Sequence, residues 1–164
     1  VLRVFPATPL SEGEVARRRL PYAPYFENGS LSVRAVPGPE DDRFPEEALS
    51  AFFSEEYTVT PASDRMGMRL DGTPLVSKSG VDIVSGGIAM GSVQIPPNGK
   101  PIILLADRQT VGGYAKLATV ITADIPLLAQ AKPGDRVRFV RCTLEAAQRT
   151  AREEQKRLAG IRFR

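Results

Sequence analysis

The segment Leu104-Leu105-Ala106-Asp107-Arg108-Gln109-Thr110-Val111-Gly112-Gly113-Tyr114 sets a carboxylate, a guanidinium, an amide and a hydroxyl directly behind an apolar run that begins at Ile102. A strand that ends this way delivers polar groups to its tip, where a rigid sheet can hold them at the mouth of a pocket. Asp107 is a candidate to orient an amide substrate or move a proton. Its alternative is an ion pair with Arg65, Arg69 or Arg108, since partial burial would raise its pKa unless a cation faces it. Gln109 and Thr110 are neutral donors and acceptors that suit an uncharged amide better than a phosphate. Gly112 and Gly113 permit positive φ and a close approach of backbone N–H groups to a bound oxyanion, or else form a hairpin turn between two strands. Tyr114 offers a ring to cover a small planar ligand and a hydroxyl to bond it, and can equally serve packing.

Two further motifs carry polar groups of the same kind. In Asp64-Arg65-Met66-Gly67-Met68-Arg69-Leu70 the two arginines are four apart. On a helix they would share a face and could clamp a carboxylate, whereas Gly67 between them favours a turn. In Gly91-Ser92-Val93-Gln94-Ile95-Pro96-Pro97-Asn98-Gly99-Lys100-Pro101, Gln94 precedes two prolines that cannot donate to a ladder, so its strand ends or lies at an edge there. Its amide can bind the carbonyl and amine of a ligand together, or satisfy loop backbone. The Gly-rich stretch Ser85–Gly91 lacks the Gly-Lys-Ser/Thr ending of a phosphate loop and no helix follows it, which excludes a nucleotide site of that type.

Composition narrows the chemistry further. The chain has 164 residues, no histidine and one cysteine, Cys142. It therefore has no intrachain disulfide, no Cys/His zinc site and no imidazole base of its own, and no metal is expected. Formal charge is +3, but Lys and Arg are scattered among acids rather than gathered in a stripe, so nucleic acid is not an expected partner. The apolar runs fall far short of the roughly 20 residues that span a bilayer, and no basic-then-apolar signal opens the chain. The expectation is a soluble, cytoplasmic protein without membrane contact. Val1 is not a start methionine, and Val1–Phe5 reads like the end of a strand entered in mid-domain, so a fragment of a longer protein is expected.

The elements that must position these groups are mainly strands. Pro6 to Ser30, with its Arg17-Arg18-Arg19, shows no sustained periodicity and reads as a linker. Residues 31–36 alternate apolar and polar with period two, as a half-buried strand should. Phe44, Ala48, Leu49, Phe52 and Phe53 fall at helical spacing behind Pro45, predicting a helix over 45–53. Further strands are predicted at 57–60, 92–95, 101–106, 115–122 and 136–141. Asp124 should cap a short helix through Gln130, and Thr143 a C-terminal helix with only a narrow apolar stripe.

Taken in order, DRMG…RL, GxxQxPPxGxP, LLADxQTxGGY, AD and PGD resemble the C-terminal half of the allophanate hydrolase subunit 2 family, over about Val33 to Ala146. The family's N-terminal half has no counterpart here. The resemblance implies a cyclophilin-like β-barrel and a division into 1–32 (end of a preceding strand plus linker), 33–146 (the domain proper) and 147–164 (C-terminal helix and tail). Three functions come with it. The first is the C component of an ATP-dependent 5-oxoprolinase, opening 5-oxoproline to glutamate with companion subunits, especially the B component, which resembles a kinase inhibitor. The second is a biotin-dependent carboxyltransferase acting on urea or another amide, with biotin arriving on a partner. The third is a non-catalytic regulator that binds a histidine-kinase inhibitor. Under the first, Asp107 and Tyr114 are the catalytic candidates, and Arg65, Arg69, Gln94, Gln109, Thr110, Gly112 and Gly113 the substrate-binding ones. ATP is used by the complex at a site not legible in this chain.

Overall fold

Period-two burial closes the sheet. The computed structural model describes residues 30–159. Strand β1 (Ser30–Pro37) buries Leu31, Val33 and Ala35 and turns the residues between them outward. Strand β9 (Arg136–Arg141) does the same with Val137 and Phe139. Side chains that alternate in this way give each strand one apolar face, and closing the sheet buries every such face without leaving open edges.

Seven strands make a closed barrel in the order β1, β8 (Lys116–Val120), β5 (Ser92–Gln94), β6 (Ile102–Leu104), β3 (Gly67–Asp71), β2 (Glu56–Val59), β9. The β1–β9 pair is parallel and the other pairs are antiparallel. Helix α1 (Glu46–Ser54) buries Phe52, which stacks on Phe139 with ring centroids 4.2 Å apart. Helix α2 (Ile125–Leu128) is a single turn, and α3 (Leu144–Ala159) buries no residue, as its narrow stripe predicted. Strands β4 (Asp82–Gly87) and β7 (Val111–Tyr114) form a separate two-stranded ribbon. The mainly β barrel with short helices expected from the motifs is what forms.

Several local expectations are corrected. Asp64–Leu70 is neither helix nor turn throughout, because Gly67 starts β3, where Met68 and Leu70 point inward and Arg69 outward. The Gly112-Gly113 pair lies inside β7 rather than at a hairpin tip. Neither has positive φ; the described glycines that do are Gly80, Gly91, Gly99 and Gly134. Asp124 occupies the N-cap position of α2 without making a cap hydrogen bond, because its carboxylate is taken by Arg34. The strand expected at 101–106 is only the three residues of β6. The expected Val1–Phe5 strand end and Pro6–Ser30 linker fall on residues 1–29, outside the described residues, apart from Ser30, which opens β1.

Tyr57 sits in the core against Phe52 and Phe139, and its hydroxyl is buried with no hydrogen-bond partner among the described residues. Burial, with Glu55 nearby, pushes this phenol far above its ordinary range. A buried hydroxyl without a partner forfeits its hydration for nothing. Tyr57→Phe should therefore stabilise the fold by about 1 kcal/mol, read as a higher urea midpoint with unchanged slope.

Candidate functional site

The polar motifs converge on the outer wall of the barrel. Register places Arg69 opposite Ile102, and Gln94 opposite the same Ile102 from the other side. Facing residues of antiparallel strands project to one side, so Arg69, Ile102 and Gln94 form a row across β3, β6 and β5. Strands spaced about 4.8 Å apart put the two polar residues about 10 Å apart at their backbones, with an apolar floor between. The row lies in a cavity of about 580 Å³ that is also lined by Lys100, Gln109 and Tyr114.

Each lining group has a defined electrostatic condition. The Arg69 guanidinium has no ion-pair or hydrogen-bond partner among the described residues. Lys100, by contrast, is committed: its Nζ lies 2.8 Å from Asp71 and donates to the Gly72 carbonyl. That bond from Lys100 holds the Asp71 carboxyl below its usual range. Gln94 lines the cavity although only 3% exposed, and its Nε2 donates to the Tyr114 carbonyl at 3.3 Å. The bend that carries Lys100 depends on Gly99, whose φ is +72° and whose added Cβ would lie 2.9 Å from the Leu75 nitrogen.

Not all nine candidates meet there. Arg69, Gln94, Gln109 and Tyr114 line the polar cavity. Asp107 follows β6 and bonds Arg65 through both carboxylate oxygens, at 2.7 and 3.2 Å, with Arg65 83% and Asp107 48% exposed. This bond raises the Arg65 pKa. Arg65 lines a second, more apolar cavity of about 430 Å³ with Met68, Met90 and Leu128. The two arginines therefore do not form a common clamp. Thr110 is exposed, and its carbonyl accepts from the Ile88 N–H.

Gly112 contributes by having no side chain. An added Cβ would lie 3.1 Å from Gln94 Nε2 and 2.6 Å from Ile88 Cδ1. Its ribbon partner is Gly86, whose Cβ would stand 3.7 Å from Lys116 Nζ. Lys116 faces Gln94 across β5–β8 and pairs with Glu40 at 3.2 Å. The ribbon thus presents two glycines to two buried polar side chains. Sequence reasoning passed over Ile102, Lys100, Lys116 and Glu40; Lys100 stood inside the GxxQxPPxGxP motif, but Glu40 carried no signal at all.

Residues 1–141 match the model of the carboxyltransferase domain, subdomain A and B, and the chain belongs to that family. Its relatives include the C component of Haemophilus influenzae 5-oxoprolinase, 41% identical over 130 residues. The corresponding Escherichia coli protein is 38% identical over 132 residues. These alignments cover 79% and 80% of this chain but only 42% and 43% of the relatives, so the chain spans less than half of their length. The urea carboxylase of Kluyveromyces lactis shares the fold, with a TM-score of 0.78 at 23% identity over 95% of this chain and 14% of that one. The family read from the motifs is thereby borne out, as is homology to the C component of 5-oxoprolinase. Among the described residues no helix is long and apolar enough to cross a membrane.

Proposed function

We propose that this chain supplies the substrate-recognition wall of an ATP-dependent 5-oxoprolinase, as its C component working with companion subunits. The observation that carries the reading is the row Arg69–Ile102–Gln94. 5-Oxoproline is a small flat lactam with a carboxylate beside its N–H. An unpaired guanidinium suits the carboxylate, an apolar floor the ring, and a fixed amide the lactam. Greater identity to the two 5-oxoprolinase relatives than to the urea-metabolising ones points the same way. Tyr114 and Gln109 close the cavity from the ribbon side.

The described residues do not fit a nucleoside triphosphate. The Gly-rich stretch from Ser85 contains the end of strand β4, and no helix N-terminus follows it. Of the two cations lining the polar cavity, Lys100 is already held by Asp71. In this reading ATP binds on a companion subunit. Asp107 is the candidate for charge work at the end of β6, reaching the cavity only through the Asp64–Gly67 loop that its backbone and side chain tie down.

The test is to reconstitute the full protein with its companion subunits and measure glutamate formed from 5-oxoproline, with and without ATP and with and without biotin. Turnover that needs ATP and ignores biotin is expected; biotin-dependent carboxylation of urea would replace the reading. In the same complex Asp107→Asn should shift the melting temperature by less than about 2 °C, since exposed ion pairs contribute little. A loss of turnover of about 100-fold would then assign Asp107 to the chemistry, and full activity would remove it.

A further inference from the structure

We infer that Gln94 acts as a hydrogen-bond acceptor in the cavity, so that the site selects ligands with a free amide N–H next to a carboxylate. The inference rests on the 5-oxoprolinase reading and deepens it. Its basis is the orientation of one amide. The partner of Gln94 Nε2 is the Tyr114 carbonyl, which can only accept. That contact fixes the NH₂ end of the amide toward the ribbon and leaves Oε1 without a hydrogen bond among the described residues. The reversed amide would set two oxygens against each other.

Three features hold this orientation. Gly112 leaves room for the NH₂ group, since any side chain there would start 3.1 Å from Nε2. Gln94 is buried beneath the ribbon, which limits its rotamers. Gln94 is also the last residue of β5, with Pro96 two residues on, so the side chain sits at a fixed corner of the sheet.

The cavity then has a polarity along the row. Gln94 accepts at one end, Ile102 is apolar in the middle, and Arg69 donates at the other. A lactam acid bound along the row places its N–H at Gln94 Oε1 and its carboxylate toward Arg69. Alkylation of the lactam nitrogen removes the donor and drives a methyl group against Oε1. Sites built to bond a buried N–H reject analogues that lack it far more strongly than apolar pockets reject an extra methylene.

The experiment compares 5-oxoproline with 1-methyl-5-oxoproline on the reconstituted complex in ATP, measuring kcat/KM for each. The wild type should prefer the unmethylated lactam by about 100-fold or more. Gln94→Ala and Gln94→Met should bring the preference to within about threefold, mostly by losing rate on 5-oxoproline. Should those variants fail to assemble, Gly112→Ala carries the test, because it crowds Nε2 from the ribbon side and should cut the preference about tenfold. Comparable turnover of both lactams by the wild type overturns the inference, and so does an assembled variant that keeps the full preference. A wild-type complex inert toward 5-oxoproline would sink the enzyme reading itself, and the inference with it. That outcome is recognisable as absent turnover rather than a lost preference.

Discussion

Arg69→Gln should raise the KM of the reconstituted complex for 5-oxoproline by about 50-fold, the scale of one charge-assisted hydrogen bond lost in a partly desolvated site. Stability should not change. The guanidinium is outward-facing on β3 and has no protein partner among the described residues, so its removal strands no buried group. kcat should fall much less than kcat/KM. The carboxylate of a lactam acid lies across the ring nitrogen from the carbonyl that reacts, and a contact made equally in ground and transition states appears in KM. Arg69→Lys should recover only part of the loss, since an ammonium cannot offer the planar two-donor fork. A Gln variant whose KM stays within about twofold of the parent would remove Arg69 from the site, and with it the argument from the row.

Arg65 and Arg69 show what the chain alone could and could not say. Both were legible as candidates, four apart in one motif. What separates them is that Gly67 begins a strand, which aims Arg69 outward beside Ile102 and leaves Arg65 in the loop before it, bonded to Asp107. Spacing of four puts two residues on one face of a helix or of a strand only when a single element holds both, and here Arg65 precedes the strand. Gln94 was legible because two prolines end its strand, but its orientation was not, since the deciding acceptor, the Tyr114 carbonyl, is 20 residues away in sequence. Gly112-Gly113 misled as a turn signal. Glycine in a strand also marks close approach, and here the approach is to Gln94 and Ile88.

The strands were easier. β1 and β9 announce themselves by alternation, because one face of each is core and the other is wet. β4 and β7 carry no such alternation: β4 lies mostly in the open and β7 lies half-buried at two glycines, so neither has an apolar face to write into the sequence. The parallel β1–β9 pairing that closes the barrel was beyond reach as well, since it joins segments about a hundred residues apart by backbone hydrogen bonds that no side-chain pattern specifies.

Asp124→Ala should lower stability by about 3 kcal/mol, or roughly 10 °C in melting temperature for a domain of this size. Asp124 was expected to cap a helix, a role whose loss costs about 1 kcal/mol. Its carboxylate, 5% exposed, instead accepts from the Arg34 backbone N–H at 2.7 Å and from the guanidinium at 3.0 and 2.6 Å. Removing it leaves a part-buried N–H unpaired and a cation without its counter-charge. The Arg34 side chain is 42% exposed and can turn to water, which keeps the cost at the low end for a broken buried pair. Arg34 also donates to Thr150 on α3, so one residue ties β1, the turn before α2 and the C-terminal helix together. A double-mutant cycle with Arg34→Met should therefore give a coupling of at least about 1.5 kcal/mol. Below the lowered melting point the variant complex should turn over 5-oxoproline as the parent does, because neither residue lines the polar cavity. A loss under about 1 kcal/mol would reduce Asp124 to the ordinary cap the sequence suggested.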